Sequence, residues 1–321
     1  MDVVYSGEEI FPHPNILLWL KKTANQVLPT SSNQIGVVIM PHGATQPYND
    51  VVEQTIKPLK SRYKIEMAYG MGDAGVIQQA ISRLEDQGIR QIIFVRMYAL
   101  SDQMKQMTDW ILGISNTPPG DHHHHGHNLA PPSQVRSAAV FSTFGGYEEN
   151  PDIAGILNER IIELSEDPSK ETVILVAHGA GDDESDAKWL SVMLDHVERI
   201  KNMTKSRFRD IKVATVREDW PKERKQAVAQ LKEMIQKGNH AGRVLLISNR
   251  LYGAGPYKNL LEEVGLKEGA DYVINRKGFA PHPVLTRWLD EGIGRTIQAM
   301  SHEKPNKQVS GAGEVSSVIR K

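Results

Sequence analysis

The sequence predicts an α/β protein built from two tandem repeats, each a parallel β-sheet with helices on both faces. Three observations carry this. The stretch GVVIMPHGATQPYND returns later as TVILVAHGAGDDESD, and in each copy an apolar run (Val37, Val38, Ile39, Met40; Val173, Ile174, Leu175, Val176) leads into His-Gly-Ala. Unbroken apolar, largely β-branched runs are what a strand buried on both faces requires. Strand-like runs then alternate with helical patterns at the period of βαβ units. The closing helices of the two copies also match, with Pro151, Leu157, Glu159 and Ile161 opposite Pro283, Leu289, Glu291 and Ile293 at a constant offset of 132. His42 and His178 lie 136 apart, so the copies share a plan and differ slightly in their loops.

Taken in order, residues 1–34 form an N-terminal extension in which Asn15 to Leu28 read as an amphipathic helix, with Pro14 at its first turn. The first repeat, 35–168, runs strand 36–40, helix 49–62, strand 64–69 and helix 73–87. Ile77, Ala80, Ile81 and Leu84 line one face of that last helix. Strand 91–100 and helix 102–113 follow. Then comes NTPPGDHHHHGHNLAPPSQ, whose prolines and glycines exclude regular structure. Strand VRSAAVFS and helix PDIAGILNERIIEL close the repeat. The second repeat, 169–300, retraces the path. It has strand 172–177, a helix carrying Leu190, Met193, Leu194 and Val197 at the same spacing, strand IKVATV and helix 221–237. Strand RVLLISN, helix 255–264, strand DYVIN and helix 281–299 complete it. The polar tail 301–321 has a composition that predicts disorder.

Composition narrows the function classes. With 321 residues, 40% hydrophobic and 24% charged, the chain can bury two cores of ordinary size. A net charge of -1 offers no basic face for nucleic acid. The absence of cysteine excludes disulfides, thiolate zinc sites and iron–sulfur clusters. The apolar run Ile16 to Leu20 is too short to span a bilayer, and no cleavable signal is read ahead of it. The expectation is a soluble, cytoplasmic protein with neither nucleic acid nor membrane as partner.

The duplicated strand–His-Gly-Ala unit, the strand RVLLISNRLYGAGPY, closing helices opened by ENP and PHP, and an internal histidine run together resemble the sirohydrochlorin cobaltochelatase family. That family belongs to the metal-independent class II chelatase superfamily, here in a two-repeat form covering roughly residues 35–299. The resemblance implies two flavodoxin-like domains with a cleft that accepts a planar tetrapyrrole. It also implies a strand-end histidine that binds the incoming divalent metal and helps remove pyrrole protons. The chemistry suits histidine, whose neutral ring ligates cobalt, nickel, iron and zinc and accepts protons near neutral pH.

On this basis His42 and His178 are the candidate catalytic metal ligands. Gly43, Ala44, Gly179, Ala180, Gly253 and Gly255 are the candidate tetrapyrrole contacts. The GAGP glycines would let backbone N–H groups approach a substrate carboxylate at a helix start. No organic cofactor is expected. The metal is itself a substrate, cobalt first, with nickel, iron or zinc as alternatives. In the family pattern a second active-site histidine follows the third strand. Aligned on Leu100, Ser101 and Asp109, that position is Lys105; aligned on Leu251 and Gly255, it is Tyr257. Neither is a good ligand at neutral pH. Glu218 and Asp219 end a strand and could face the cleft, although the plainer reading makes them acids at a helix start before Pro221. His282 reads as a turn residue, and His13 and His196 have no partner that sequence names.

Two rival classes remain. A histidine phosphatase opens with a strand and Arg-His-Gly, but Pro41 and Ala177 occupy the arginine position and offer no phosphate-binding side chain. The other rival is a non-catalytic protein, derived from a chelatase, that holds metal or tetrapyrrole and hands it on.

The run His122, His123, His124, His125 and His127 reads as a multidentate site for a borderline divalent metal, against the plainer reading of a solvated loop that binds metal adventitiously. Similar tracts in the family are associated with metal storage or delivery. Deleting residues 121–127 is expected to lower the cobalt or nickel bound per chain, measured by equilibrium dialysis. The thermal midpoint should be nearly unchanged, because a proline-bounded loop adds little to either core.

Overall fold

The computed structural model describes residues 14–28, 30–119, 131–203 and 207–302; the histidine run and most of the tail lie outside them. The extension contributes α1 (Pro14–Val27). The first half then runs β1 (Ile35–Pro41), α2 (Gln46–Ile56), β2 (Lys64–Met67), α3 (Ala74–Glu85), β3 (Gln91–Met97), α4 (Lys105–Ile111), β4 (Val140–Gly145) and α5 (Ile153–Ile162). The second half runs β5 (Glu171–Ala177), α6 (Asp183–Met203), β6 (Asp210–Thr215), α7 (Pro221–Ala241), β7 (Arg243–Ser248), α8 (Tyr257–Glu263), β8 (Val273–Asn275) and α9 (Pro283–His302). The strands form two four-stranded parallel sheets, ordered β2-β1-β3-β4 and β6-β5-β7-β8. This is the α/β architecture that the duplicated pattern predicts, and β1 and β5 are central strands with neighbours on both sides. No described helix is long and apolar enough to cross a membrane.

The period of two along a strand divides each sheet between two cores. Val38, Met40, Ile92 and Phe94 point to a cluster with Ile77, Ala80, Ile81 and Leu84 of α3. In the second sheet, Ile174, Val176 and Leu246 do the same with Val228, Leu231 and Ile235 of α7. The alternate positions, Val37, Ile39, Ile93 and Val95 in one sheet and Val173, Leu175, Leu245 and Ile247 in the other, belong to one shared cluster.

The closing helices join these two faces by crossing over. α5 packs on α6 and β7 of the second half, whereas α9 packs on α2 of the first. The residues matched in sequence, Leu157 and Ile161 with Leu289 and Ile293, are all fully buried there. Thr286 Oγ1 donates to Thr55 O at 2.7 Å, and the Arg62 guanidinium and Tyr63 hydroxyl both bond Asp290. In return Asn275 Nδ2 donates to Arg160 O at 2.9 Å.

Some element limits differ from the pattern reading. The strand expected at 135–142 begins at Val140 instead, because Ser137 Oγ and the N–H groups of Ala138 and Ala139 bond the Glu85 carboxylate of α3. In α6 the buried stripe is Trp189, Met193, His196, Val197 and Ile200, and Leu194 is exposed. α9 continues through His302, two residues into the expected tail.

The crossing of α9 over the first sheet is close. A Cβ built on Gly292 would stand 2.4 Å from Phe144 Cε2. Gly292→Ala should therefore lower stability by about 1–3 kcal/mol through overpacking, read as the urea midpoint. An unchanged midpoint would remove α9 from this position.

Candidate functional site

Both strand-end histidines stand at the carboxyl edge of the central strand of their sheet, where open α/β sheets place ligands. After each of them the chain turns through a glycine with positive φ, Gly43 at 71° and Gly179 at 85°. A Cβ on Gly179 would lie 2.8 Å from both Asp186 Oδ1 and Thr215 Cβ, so only glycine fits that turn. The imidazoles are oriented alike. His42 Nδ1 lies 2.7 Å from Gly43 O, and His178 Nδ1 lies 2.9 Å from Gly179 O. A carbonyl accepts, so each Nδ1 carries the proton, and in the neutral ring Nε2 keeps its lone pair.

The two surroundings differ. His42 is exposed, and its ring centroid lies 6.4 Å from that of Tyr98, whose hydroxyl donates to Gly70 O at 2.8 Å. Tyr69 stands beside the Gly43 turn, 3.1 Å from a Cβ built there, and donates to Glu53 Oε1 at 3.1 Å. Tyr48 meets Tyr252 edge-on at 6.2 Å, which brings an aromatic ring from each half together. Burial pushes the Tyr48 hydroxyl up to about 12 and raises Tyr69 and Tyr98 as well, so these phenols stay neutral.

His178 is half-buried. Its Nε2 lies 3.2 Å from Asp219 Oδ2, its ring lies beside Trp189 at 6.3 Å, and Trp220 stands edge-on at 5.9 Å. The turn after it is tied down. Ala180 N donates to Asp186 Oδ1 at 2.9 Å, and Arg217, itself at φ 48°, donates through Nε to Ala180 O at 2.7 Å. The first copy is looser, with Ala44 N reaching Asn49 Oδ1 at 3.5 Å.

The remaining sequence candidates fall into place as follows. The plainer reading of Glu218 and Asp219 as helix-start acids gives way, since Asp219 faces His178 and Glu218 Oε2 accepts from Arg250 Nη1 at 2.5 Å. Gly253 has open space at its Cβ position, but the space at Gly255 is taken by the Arg250 guanidinium, 2.6 Å away. Lys105 is half-exposed and its amine bonds the Asp109 carboxylate one turn on. Tyr257 does not face a cleft at all. It is 0% exposed within the outer core of the second sheet, and its hydroxyl donates to Val176 O at 2.9 Å. Lys105 and Tyr257 each open the helix after the third strand of their half, so the alignment of the two positions holds, but the burial of Tyr257 removes it as a ligand. His282 accepts at Nδ1 from Val284 N, as a turn residue does. His196 is buried, with Nε2 on Glu148 O at 2.7 Å.

Among the described residues no three His, Asp or Glu side chains converge on one point, so His42 and His178 belong to no such cluster. Two surface hollows, of about 520 Å³ beside Lys258 and Glu262 and about 330 Å³ beside Arg295 and Met300, include neither histidine. Sequence reasoning missed Tyr48, Tyr98, Arg250, Trp189 and Trp220. Their only signal was position, since each stands within a few residues of a strand end or on the helix that follows.

No family model and no curated protein matches the sequence. Among solved structures the chain is similar to the sirohydrochlorin chelatase SirB from Bacillus subtilis subspecies spizizenii, described in complex with cobalt. The TM-score is 0.56 at 10% identity, over 83% of this chain and 96% of that one. It also aligns with a multi-domain protein from Deinococcus radiodurans described as structurally similar to chelatases, at a TM-score of 0.49 and 13% identity. That match covers 85% of this chain and about half (55%) of the other. The chain thus has the fold of a chelatase.

The Tyr257 geometry has a direct consequence. Tyr257→His should not strengthen cobalt binding in a titration. It should instead destabilise the protein by about 2 kcal/mol or more, because an imidazole there leaves a cavity and a buried polar ring. Tighter cobalt binding by this variant would show that this position does reach the metal.

Proposed function

We propose that the protein inserts a divalent metal into sirohydrochlorin or a related tetrapyrrole, with His42 as metal ligand and proton acceptor. The observation that carries this reading is the His42 geometry. Its Nδ1 proton is committed to Gly43 O, and Nε2 is left with its lone pair on an exposed strand-end ring. An imidazole so oriented can hold an incoming cation, and as the metal leaves Nε2 for the ring that nitrogen can accept one of the two pyrrole protons, the other passing to the solvent around the exposed side chain. The neutral phenols of Tyr48, Tyr69 and Tyr98, together with the ring of Tyr252, supply aromatic surface for a planar macrocycle. The half-buried cation Arg250, beside Tyr48, already pairs with Glu218 and would share its guanidinium with a carboxylate-bearing ligand. Cobalt is the favoured metal, with nickel, iron and zinc as alternatives. The histidine run 121–127 acts as an auxiliary reservoir. Likeness to a sirohydrochlorin chelatase in fold supports the choice of substrate class.

In the second half His178 already has Asp219 against its Nε2. We assign it an N,O pair for metal, with insertion placed at His42. A second reading is a carrier that binds metal or tetrapyrrole without insertion. It is favoured by the want, among the described residues, of a second imidazole beside His42; at the position where the family pattern has one, Lys105 bonds Asp109.

Mixing the protein with sirohydrochlorin and cobalt and following the absorption spectrum against a protein-free control separates the readings. Insertion should accelerate with wild type and fall at least a hundredfold in His42→Ala, a size typical of losing a general base, with the thermal midpoint retained. Unaltered insertion by His42→Ala would move the reaction elsewhere. Cobalt binding with no insertion by the wild type would establish the carrier.

A further inference from the structure

Where the two halves meet, one acidic side chain is enclosed on every side. Glu148 lies in the 3-10 turn Tyr147–Glu149 that follows β4, and it is 0% exposed. Its Oε2 accepts from Trp189 Nε1 of α6 at 2.7 Å and from Asn249 Nδ2, just after β7, at 2.5 Å. Its carbonyl meets His196 Nε2 at 2.7 Å. A residue of the first half is thus gripped by three residues of the second.

Besides His196 Nδ1, two buried atoms in this cluster lack a partner, Glu148 Oε1 and Asn249 Oδ1. Both are acceptors, and they belong to side chains already joined by one hydrogen bond through their other atoms. One proton on Oε1 satisfies both at once, with the acid O–H donating to Oδ1 while the amide N–H donates to Oε2. We propose that Glu148 and Asn249 form a proton-held latch between the halves, a carboxylic acid paired head to head with a carboxamide, which loosens when the proton leaves.

The surrounding charges are consistent with a neutral acid. Burial pushes the Glu148 carboxyl up to about 8, against the hydrogen bonds from Trp189 and Asn249 and the attraction of Arg250. Arg250 is committed to Glu218, and on Glu148's own turn Tyr147 is fully buried with its hydroxyl raised. Glu149 turns away to accept from Ser101 and approach Lys188. On α6, burial lowers His196, so that ring stays neutral, and on α8 burial raises Tyr257. Without its proton the carboxylate would keep one oxygen buried and unpaired, a state that favours parting the halves. The latch reaches the candidate site, since Trp189 lies beside His178 and Arg250 follows Asn249 in the chain.

A carboxyl raised in the folded state stabilises the fold fully below its unfolded pKa and loses that contribution as pH climbs through about 8. Glu148→Gln keeps the head-to-head pairing through an amide and removes the titration. For wild type the unfolding equilibrium constant should gain up to tenfold per pH unit from about pH 5 to 8, a component absent from E148Q. Infrared spectra of wild type at pH 6 should contain the carbonyl stretch of a protonated carboxyl that fades toward pH 9 and is missing in E148Q. Parallel pH profiles for the two proteins would overturn the latch. So would a wild-type spectrum without that band, which decides the matter even if E148Q does not fold.

Discussion

The structure depends on one shared apolar core. The inner faces of both sheets, with α2 and α9 on one side and α5 and α6 on the other, form a single cluster. Separating the halves would expose Val37, Ile39, Leu285 and Leu289 together with Val173, Leu175, Leu157 and Ile161, each worth roughly 1.5–3 kcal/mol of burial. That seam fixes where the strand ends lie relative to one another. It thereby sets the position of Tyr48 against Tyr252 and of Glu148 within its ring of donors. The rims of the two sheets can vary because this centre holds.

The two copies of the motif stand in different surroundings. Around His42 the turn is loosely held and the ring open, with phenols nearby. Around His178, Asp186 and Arg217 fasten the turn, Asp219 stands beside the imidazole, and two indoles stand against it. A tied-down turn with a half-buried ring favours rigidity over access. Arg217 holds a left-handed backbone conformation, and strain of that kind persists only where surroundings enforce it, here through its bonds to Ala180 and Asp183.

Much of this was legible in the sequence wherever periodicity reports burial. Val37 to Met40 and Val173 to Val176 announced central parallel strands because both faces are covered. Ile77, Ala80, Ile81 and Leu84 announced the inner face of α3. What was not legible depended on partners far away in the chain. Nothing local to 135–139 says that Glu85 will claim its N–H groups, and nothing near Tyr257 says that Val176 O will hold its hydroxyl. The site was read from its strand-end histidines, but the tyrosines and Arg250 come from separate loops that only the fold assembles. Asp219 was seen and underrated, since a carboxylate before a helix-start proline has a sufficient local explanation until His178 is found beside it.

The exchange of closing helices bears on ancestry. A lone repeat of this plan would send its last helix away from its own sheet and leave the inner face of that sheet covered by one helix instead of two. Such a chain would be complete only as a pair, each copy lending its final helix to its twin, the arrangement known as domain swapping. Joining two copies in one polypeptide turns that encounter into an intramolecular one, so assembly no longer depends on concentration. It also frees the two copies from identity. In a swapped pair every substitution appears twice, whereas in the fused chain the surroundings of His42 and His178 can diverge, as they have.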